Sequence, residues 1–182
     1  MKKNQTLRSL TLLFLCCLLF NCTATAQQFN KKEIEKSMVR AMEWQEAHPI
    51  FALAPTDWTN GAYHVGIARA HKTTQNQIFL AALKNTGYRN KWNTYDRYFH
   101  ADDVTVSYGY LYLEMNDTRK NYVDLKPTET FIQKHLYEPN KWRDGTDKDE
   151  TKSILWWWCD ALFMAPPMLT LYSNHTEDQK YL

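Results

Sequence analysis

The sequence predicts an all-α protein assembled from repeated helical hairpins, and three observations lead there. Apolar positions recur at helical spacing along the chain, and no segment sustains the period-two alternation of a half-buried strand. Three stretches share one plan: a short aromatic or acidic cluster, an apolar helix, a polar turn and an amphipathic helix. The clusters begin near Thr59, Ala101 and Trp158, at unequal intervals, so the repeat is one of structure and not of a fixed sequence period.

Residues 1–26 read as an export signal: Lys2, Lys3 and Arg8 precede the apolar run Leu10 to Phe20, and Ala24-Thr25-Ala26 offers small residues for cleavage before Gln27. This predicts an exported, periplasmic protein. Lipid anchoring at Cys22 is the competing reading, disfavoured because Phe20 and Asn21 suit the preceding positions poorly. The apolar run is too short for a stable spanning helix, so no membrane insertion is expected after cleavage. Residues 27–182 are then the folded part. Ile34, Met38, Met42 and Trp44 mark a first amphipathic helix that ends near His48-Pro49, since Pro cannot continue it.

The first hairpin runs from Asp57-Trp58-Thr59-Asn60-Gly61 to His71, turns at 72–76 and resumes at Gln77. The second runs from Ala101-Asp102-Asp103 to Leu113, turns at 116–120 and resumes from about Val123 to His135. The third runs from Trp158-Cys159-Asp160 to Leu171, turns at 173–176 and opens a last helix at Glu177 that stops at Leu182. Apolar first helices and amphipathic second helices suggest two concentric layers, with the inner helices buried on most sides. A toroid of that kind gathers the connections before each inner helix at one mouth. A helical solenoid or irregular bundle is the alternative, in which the same clusters are only caps.

The chemistry-bearing residues lie in those connections. In Trp156-Trp157-Trp158-Cys159-Asp160 a carboxyl stands among indoles that could desolvate it, raising its pKa toward general-acid range, and that could stack on sugar rings. His100-Ala101-Asp102-Asp103 supplies two adjacent carboxyls, of which one can face a cavity. Trp58 and Asn60 supply a stacking ring and an amide, and Gly61 permits close approach. Two carboxyls from separate hairpins suit glycan hydrolysis. Each has a plainer account: Asp160, Asp102 and Asp103 as helix caps, and His64 and His71 as packed, hydrogen-bonded core histidines.

Composition narrows the classes further. The chain has 22 Lys and Arg against 20 Asp and Glu, and removal of Lys2, Lys3 and Arg8 with the signal leaves 19 against 20, which argues against a nucleic-acid surface. Three of the four cysteines fall in the signal, so Cys159 has no intrachain disulfide partner in the folded part, and no neighbouring base in sequence activates it. No metal is expected, because His100 with Asp102 and Asp103 lacks further ligands at a recognisable spacing, and no cofactor motif is present.

Together, DWTNG at 57–61, HADD at 100–103 and WWWCDALFMAPP at 156–167 resemble the unsaturated uronyl hydrolases of glycoside hydrolase family 105, related to family 88. The resemblance implies an (α/α)6 toroid, of which this segment is about the first half. It implies removal of a Δ4,5-unsaturated galacturonic acid from the non-reducing end of rhamnogalacturonan oligosaccharides, by hydration of the C4=C5 bond. It assigns Asp160 as the principal acid and base, one of Asp102 and Asp103 as the second carboxyl with Asp103 the first choice, and Trp58, Asn60, His100 and Trp158 as substrate-binding residues. The rival readings are another sugar-active toroid, such as an inverting glycosidase or an epimerase, and an inactive half domain.

Overall fold

A computed structural model describes residues 30–52, 54–97, 100–119, 121–133 and 159–182. The described elements are helices α1 (Lys31–Ala47), α2 (Trp58–Thr74), α3 (Gln77–Asn90), a 3-10 turn (Ala101–Val104), α4 (Ser107–Asn116), the short α5 (Lys126–Phe131), α6 (Ala161–Thr176) and a last 3-10 turn (Gln179–Tyr181). No strand occurs among the described residues, as the periodicity predicts. Residues 30–34, with the opening of α1, belong to one unit, and Glu35–Leu182 form the other, which holds all the remaining elements. The signal, its cleavage site and Trp156 to Trp158 lie outside the described residues.

Local sequence sets the helix ends. Asp57 caps α2, its Oδ1 accepting from the Thr59 amide at 3.1 Å and the Thr59 hydroxyl at 2.9 Å. Asn76 caps α3 through Ile78 N at 3.1 Å, while its amide donates to Glu35 Oε1 at 2.7 Å, tying α1 to the α2–α3 turn. Gln75 and Lys91 close α2 and α3 in the left-handed region, each returning its N–H to a carbonyl of the last turn.

Helices α2, α4 and α6, the first helices of the three hairpins, pack side by side: α4 contacts both α2 and α6, and α3 packs against α2 and α4. Their burial follows the inner-layer expectation most closely in α4, where every residue from Ser107 to Leu113 is buried. Gly61 explains how α2 approaches its neighbour. A Cβ there would stand 2.9 Å from both Thr105 Cβ and the Val106 amide, so the helix sits against backbone at a distance only glycine allows. The close approach expected of Gly61 is therefore made to the segment before α4.

Several elements differ from their predicted bounds: α2 runs past His71 to Thr74, and α4 begins at Ser107, after the 3-10 turn that opens at Ala101. The helix predicted from Val123 begins at Lys126, with Pro127 in its first turn, and its predicted end at His135 lies outside the described residues. The turn predicted at 173–176 is instead the last turn of α6, which stops where Glu177 takes φ 58°, and the chain then makes a single 3-10 turn. Helix α6 also runs through Pro166 and Pro167. The amide hydrogens they lack would have served the carbonyls of Leu162 and Phe163, and both residues are exposed, so water can satisfy the two groups.

A second cluster fixes the far end of α4. The Trp92 indole covers Gly87, leaving no room for a side chain there, and meets Tyr110 edge-on with ring centres 5.3 Å apart. Tyr122 packs beside Trp92 and donates its hydroxyl to Asp117 Oδ2 at 2.6 Å, while the Arg119 amide and Nε donate to Asp117 Oδ1 at 3.0 and 3.1 Å. Burial pushes the Asp117 carboxyl up, but the Tyr122 and Arg119 bonds outweigh it and bring its pKa from the ordinary 3.8 down to about 2. A depressed carboxyl stabilises the fold above its unfolded pKa, and that contribution is lost as pH falls through the folded value. Asp117→Asn in the full chain should therefore cost about 1–2 kcal/mol at neutral pH. Urea midpoints should show the difference shrinking from about pH 4 to about pH 2. Parallel curves for variant and parent across that range would exclude Asp117 as the acid-sensitive group.

Candidate active site

The candidate carboxyls stand at the starts of α4 and α6, and Trp58 stands at the start of α2. The 3-10 turn carrying Asp102 and Asp103 is the junction, since it packs against both α2 and α6. The turn begins after His100, which makes no side-chain cap, and neither aspartate caps a helix. Capping therefore does not account for this pair.

Their environments differ sharply. Asp103 has no exposed side-chain surface, a condition that a carboxylate tolerates only when paired and hydrogen-bonded. Arg97 supplies the pairing. Its Nη2 and Nε donate to Asp103 Oδ1 at 2.6 and 2.9 Å, and its backbone N–H donates to Oδ2. Burial raises the Asp103 pKa, and the Arg97 bonds oppose that rise without cancelling it. Desolvation disfavours the Arg97 charge, but the bonds to Asp103 and Asp102 outweigh it and raise the guanidinium pKa. Both pKa values rise, the acid's through burial and the guanidinium's through its carboxylate partners, and the three N–H donors facing Asp103 favour its ionised form.

Asp102 keeps 14% of its side-chain surface exposed. Its Oδ2 accepts from Arg97 Nη2 at 3.2 Å and lies 3.2 Å from His100 Nδ1, which is not aligned to hydrogen-bond with it. Among the described residues nothing donates to Asp102 Oδ1. Arg97 thus spans both aspartates with one guanidinium, and it is the residue that reading the sequence missed. Its only signal there was a basic residue six positions before Asp103, inside a Tyr-rich stretch that predicted no element.

Asp160 stands at the N-cap position of α6 with αR dihedrals and makes no side-chain cap bond. It is exposed, so the burial expected from its aromatic neighbours is not found. Helix burial begins one residue later, at Ala161, and leaves the carboxyl outside the packed face. Cys159 is likewise exposed and free.

Trp58 is 38% exposed at the first residue of α2, where its ring remains open to contact. Asn60 turns elsewhere. Its amide is 3.5 Å from the Ala54 carbonyl, and it lines a cleft of about 270 Å³ with His64, Thr86, Arg89 and Asn90, none of which belongs to the carboxyl cluster. The histidines divide. His71 is packed and bonded as expected, with Nδ1 2.9 Å from the Tyr112 hydroxyl, whereas His64 Nδ1 is buried without a partner. Burial lowers the His64 pKa to about 4, which keeps the ring neutral. No group of three or more His, Cys, Asp or Glu side chains able to hold a metal occurs among the described residues. No helix among them is long and apolar enough to cross a membrane.

Comparison with known proteins adds identity to this geometry. The chain is 57% identical over 181 residues to an unsaturated 3S-rhamnoglycuronyl hydrolase of Formosa agariphila, a match covering 98% of this chain and 48% of that protein. It is 26% identical over 137 residues to a protein of the same description from Alteromonas sp. (strain LOR), covering 69% of this chain and 32% of that one. The chain thus spans about half and about a third of the lengths of these relatives. The sequence pattern of Glycosyl Hydrolase Family 88 matches residues 22–182, and the chain belongs to that family.

Proposed function

We propose that the protein of which this chain forms part removes a Δ4,5-unsaturated uronic acid from the non-reducing end of an oligosaccharide by hydrating the C4=C5 bond. The observation that carries this reading is the 57% identity, spread over 98% of the chain, to an unsaturated 3S-rhamnoglycuronyl hydrolase. That relative's name supports a rhamnose-linked unsaturated uronyl substrate, a class that includes the unsaturated galacturonyl-rhamnose expected from the sequence. Forming the C4=C5 bond removes the stereocentre at C4, so uronic acids that differ only there give the same unsaturated ring.

In the proposed reaction an acid delivers a proton to C4 and water adds at C5, its lost proton returning to a carboxylate. The resulting hemiketal opens and releases the neighbouring sugar. Asp160 suits the first role as a carboxyl exposed at a helix start and uncommitted to a cap. For the second carboxyl the geometry favours Asp102 over Asp103, the first choice from sequence, because Arg97 takes up both oxygens of Asp103 and leaves Asp102 Oδ1 open. Trp58 offers the stacking surface. The 43% exposure of His100 beside Asp102 supports a substrate contact for it, and Asn60 would reach substrate only from its own cleft.

Given an unsaturated rhamnoglycuronyl disaccharide, the full-length protein should bleach the near-ultraviolet absorbance of the conjugated double bond as sugar is released. In heavy-oxygen water the label should enter the uronate product at C5. Equal cleavage of the saturated disaccharide would favour an inverting glycosidase instead. Asp160→Asn and Asp102→Asn should each lower kcat by about two to four powers of ten, the usual worth of general acid–base catalysis. Asp103→Asn should act mainly on stability. A larger kcat loss for Asp103→Asn than for Asp102→Asn would reverse the assignment.

Export with cleavage after Ala26 completes the proposal, supported by the basic start, the apolar run and the small residues before Gln27. The intact mass of protein purified from the native host should correspond to a chain beginning at Gln27. A lipid-modified terminus at Cys22 would replace the soluble form with an anchored one.

A further inference from the structure

The proposed hydration leaves Arg97 without a role beyond neutralising Asp103, yet its geometry exceeds that need. Two donors from its side chain and one from its backbone already satisfy Asp103. The same Nη2 that bonds Asp103 Oδ1 also reaches Asp102 Oδ2 at 3.2 Å, and Nη1 stands 3.5 Å from His100 Nε2. One planar guanidinium therefore touches three side chains of the HADD segment at once. A lysine ammonium could not reproduce that fork, being a point charge on a flexible stem.

The consequence falls on Asp102. Two carboxylates on adjacent residues repel, and with no shared cation the partly exposed one would swing toward water. Arg97 prevents this by fixing one oxygen of Asp102 against a group that is itself anchored to an unexposed carboxylate. The anchor is rigid because the turn is wedged between α2 and α6, with Gly61 of α2 against Thr105 and Val106 just beyond it.

We infer that Arg97 is a positioning residue: through its bridge from Asp103 to Asp102 it holds one oxygen of Asp102 and aims the other at the substrate. This rests on the reading of Asp102 as a carboxyl that acts on substrate. Arg97 itself need not touch the sugar.

A double-mutant cycle in the full-length protein separates this role from a purely structural one. Arg97→Met should lower both Tm and kcat, since it strands a buried carboxylate and frees Asp102. Arg97→Met combined with Asp103→Asn removes the stranded charge and should recover most of the lost Tm. The kcat of the double variant should stay at least roughly tenfold below that of Asp103→Asn alone, because misplacing a reacting group by about 1 Å can cost a factor of a hundred. KM should change far less than kcat, as the interaction is with another protein group and not with substrate. Arg97→Lys, which keeps charge without the fork, should fall between parent and Arg97→Met. Recovery of kcat together with Tm in the double variant would overturn the inference and leave Arg97 a structural counter-ion. Turnover of the saturated disaccharide alone would sink the hydration reading but not this one, because the same variants can then be compared on that substrate.

Discussion

A carboxylate with no solvent exposure governs the centre of this structure. Asp103 sits in the turn on which α2 and α6 both pack, and an unpaired charge there would cost several kcal/mol. Arg97 meets that requirement from a segment with no regular structure of its own, so the chain between α3 and α4 is held by an ion pair where a helix or strand would otherwise hold it. The backbone takes part as well: the Tyr95 amide donates to the Asp103 carbonyl at 3.2 Å, so the segment and the turn are laced together on both sides. With that turn fixed, the starts of α4 and α6 and the close approach of α2 are set.

The two adjacent aspartates show how position gives one residue type two environments. Asp103 points into the packed junction and is consumed in holding it, while Asp102 stays at the edge, where no described residue donates to its Oδ1. A cation that serves both keeps the pair compact. The second cluster, around Trp92, Tyr122 and Asp117, works differently. There aromatic packing brings a hydroxyl and a guanidinium onto a carboxylate, its pKa falls, and the chain after α4 is pinned.

Not every candidate residue joins the carboxyl cluster. Asn60 and His64 face a cleft lined also by Pro49, Ala52, Pro55 and the end of α3, although both belong to the helix that carries Trp58. A helix turns about 100° per residue, so Trp58 and Asn60, two apart, cannot face the same direction. The motif DWTNG therefore serves two surfaces: Asp57 caps, Gly61 packs, and Trp58 and Asn60 diverge.

The sequence alone determined the helical class, the order of the hairpins, the starts of α2, α3 and α6 to within a few residues, and the short strings that mark the family. These are legible because periodicity, caps and prolines act over a few neighbouring positions. Tertiary structure decided what no local signal carries. Whether Asp102 or Asp103 is buried depends on which side of a turn meets two helices from other parts of the chain, and Arg97 was invisible until folding placed it over both. Asp160, read as buried from its tryptophan neighbours, is exposed because burial is set by what packs across from a residue and not by what precedes it in sequence. The last turn of α6 persists past its predicted end because Tyr172 and Ser173 are buried against the final turn, where Tyr181 meets Tyr172 edge-on and the Ser173 hydroxyl bonds the Asp178 carbonyl.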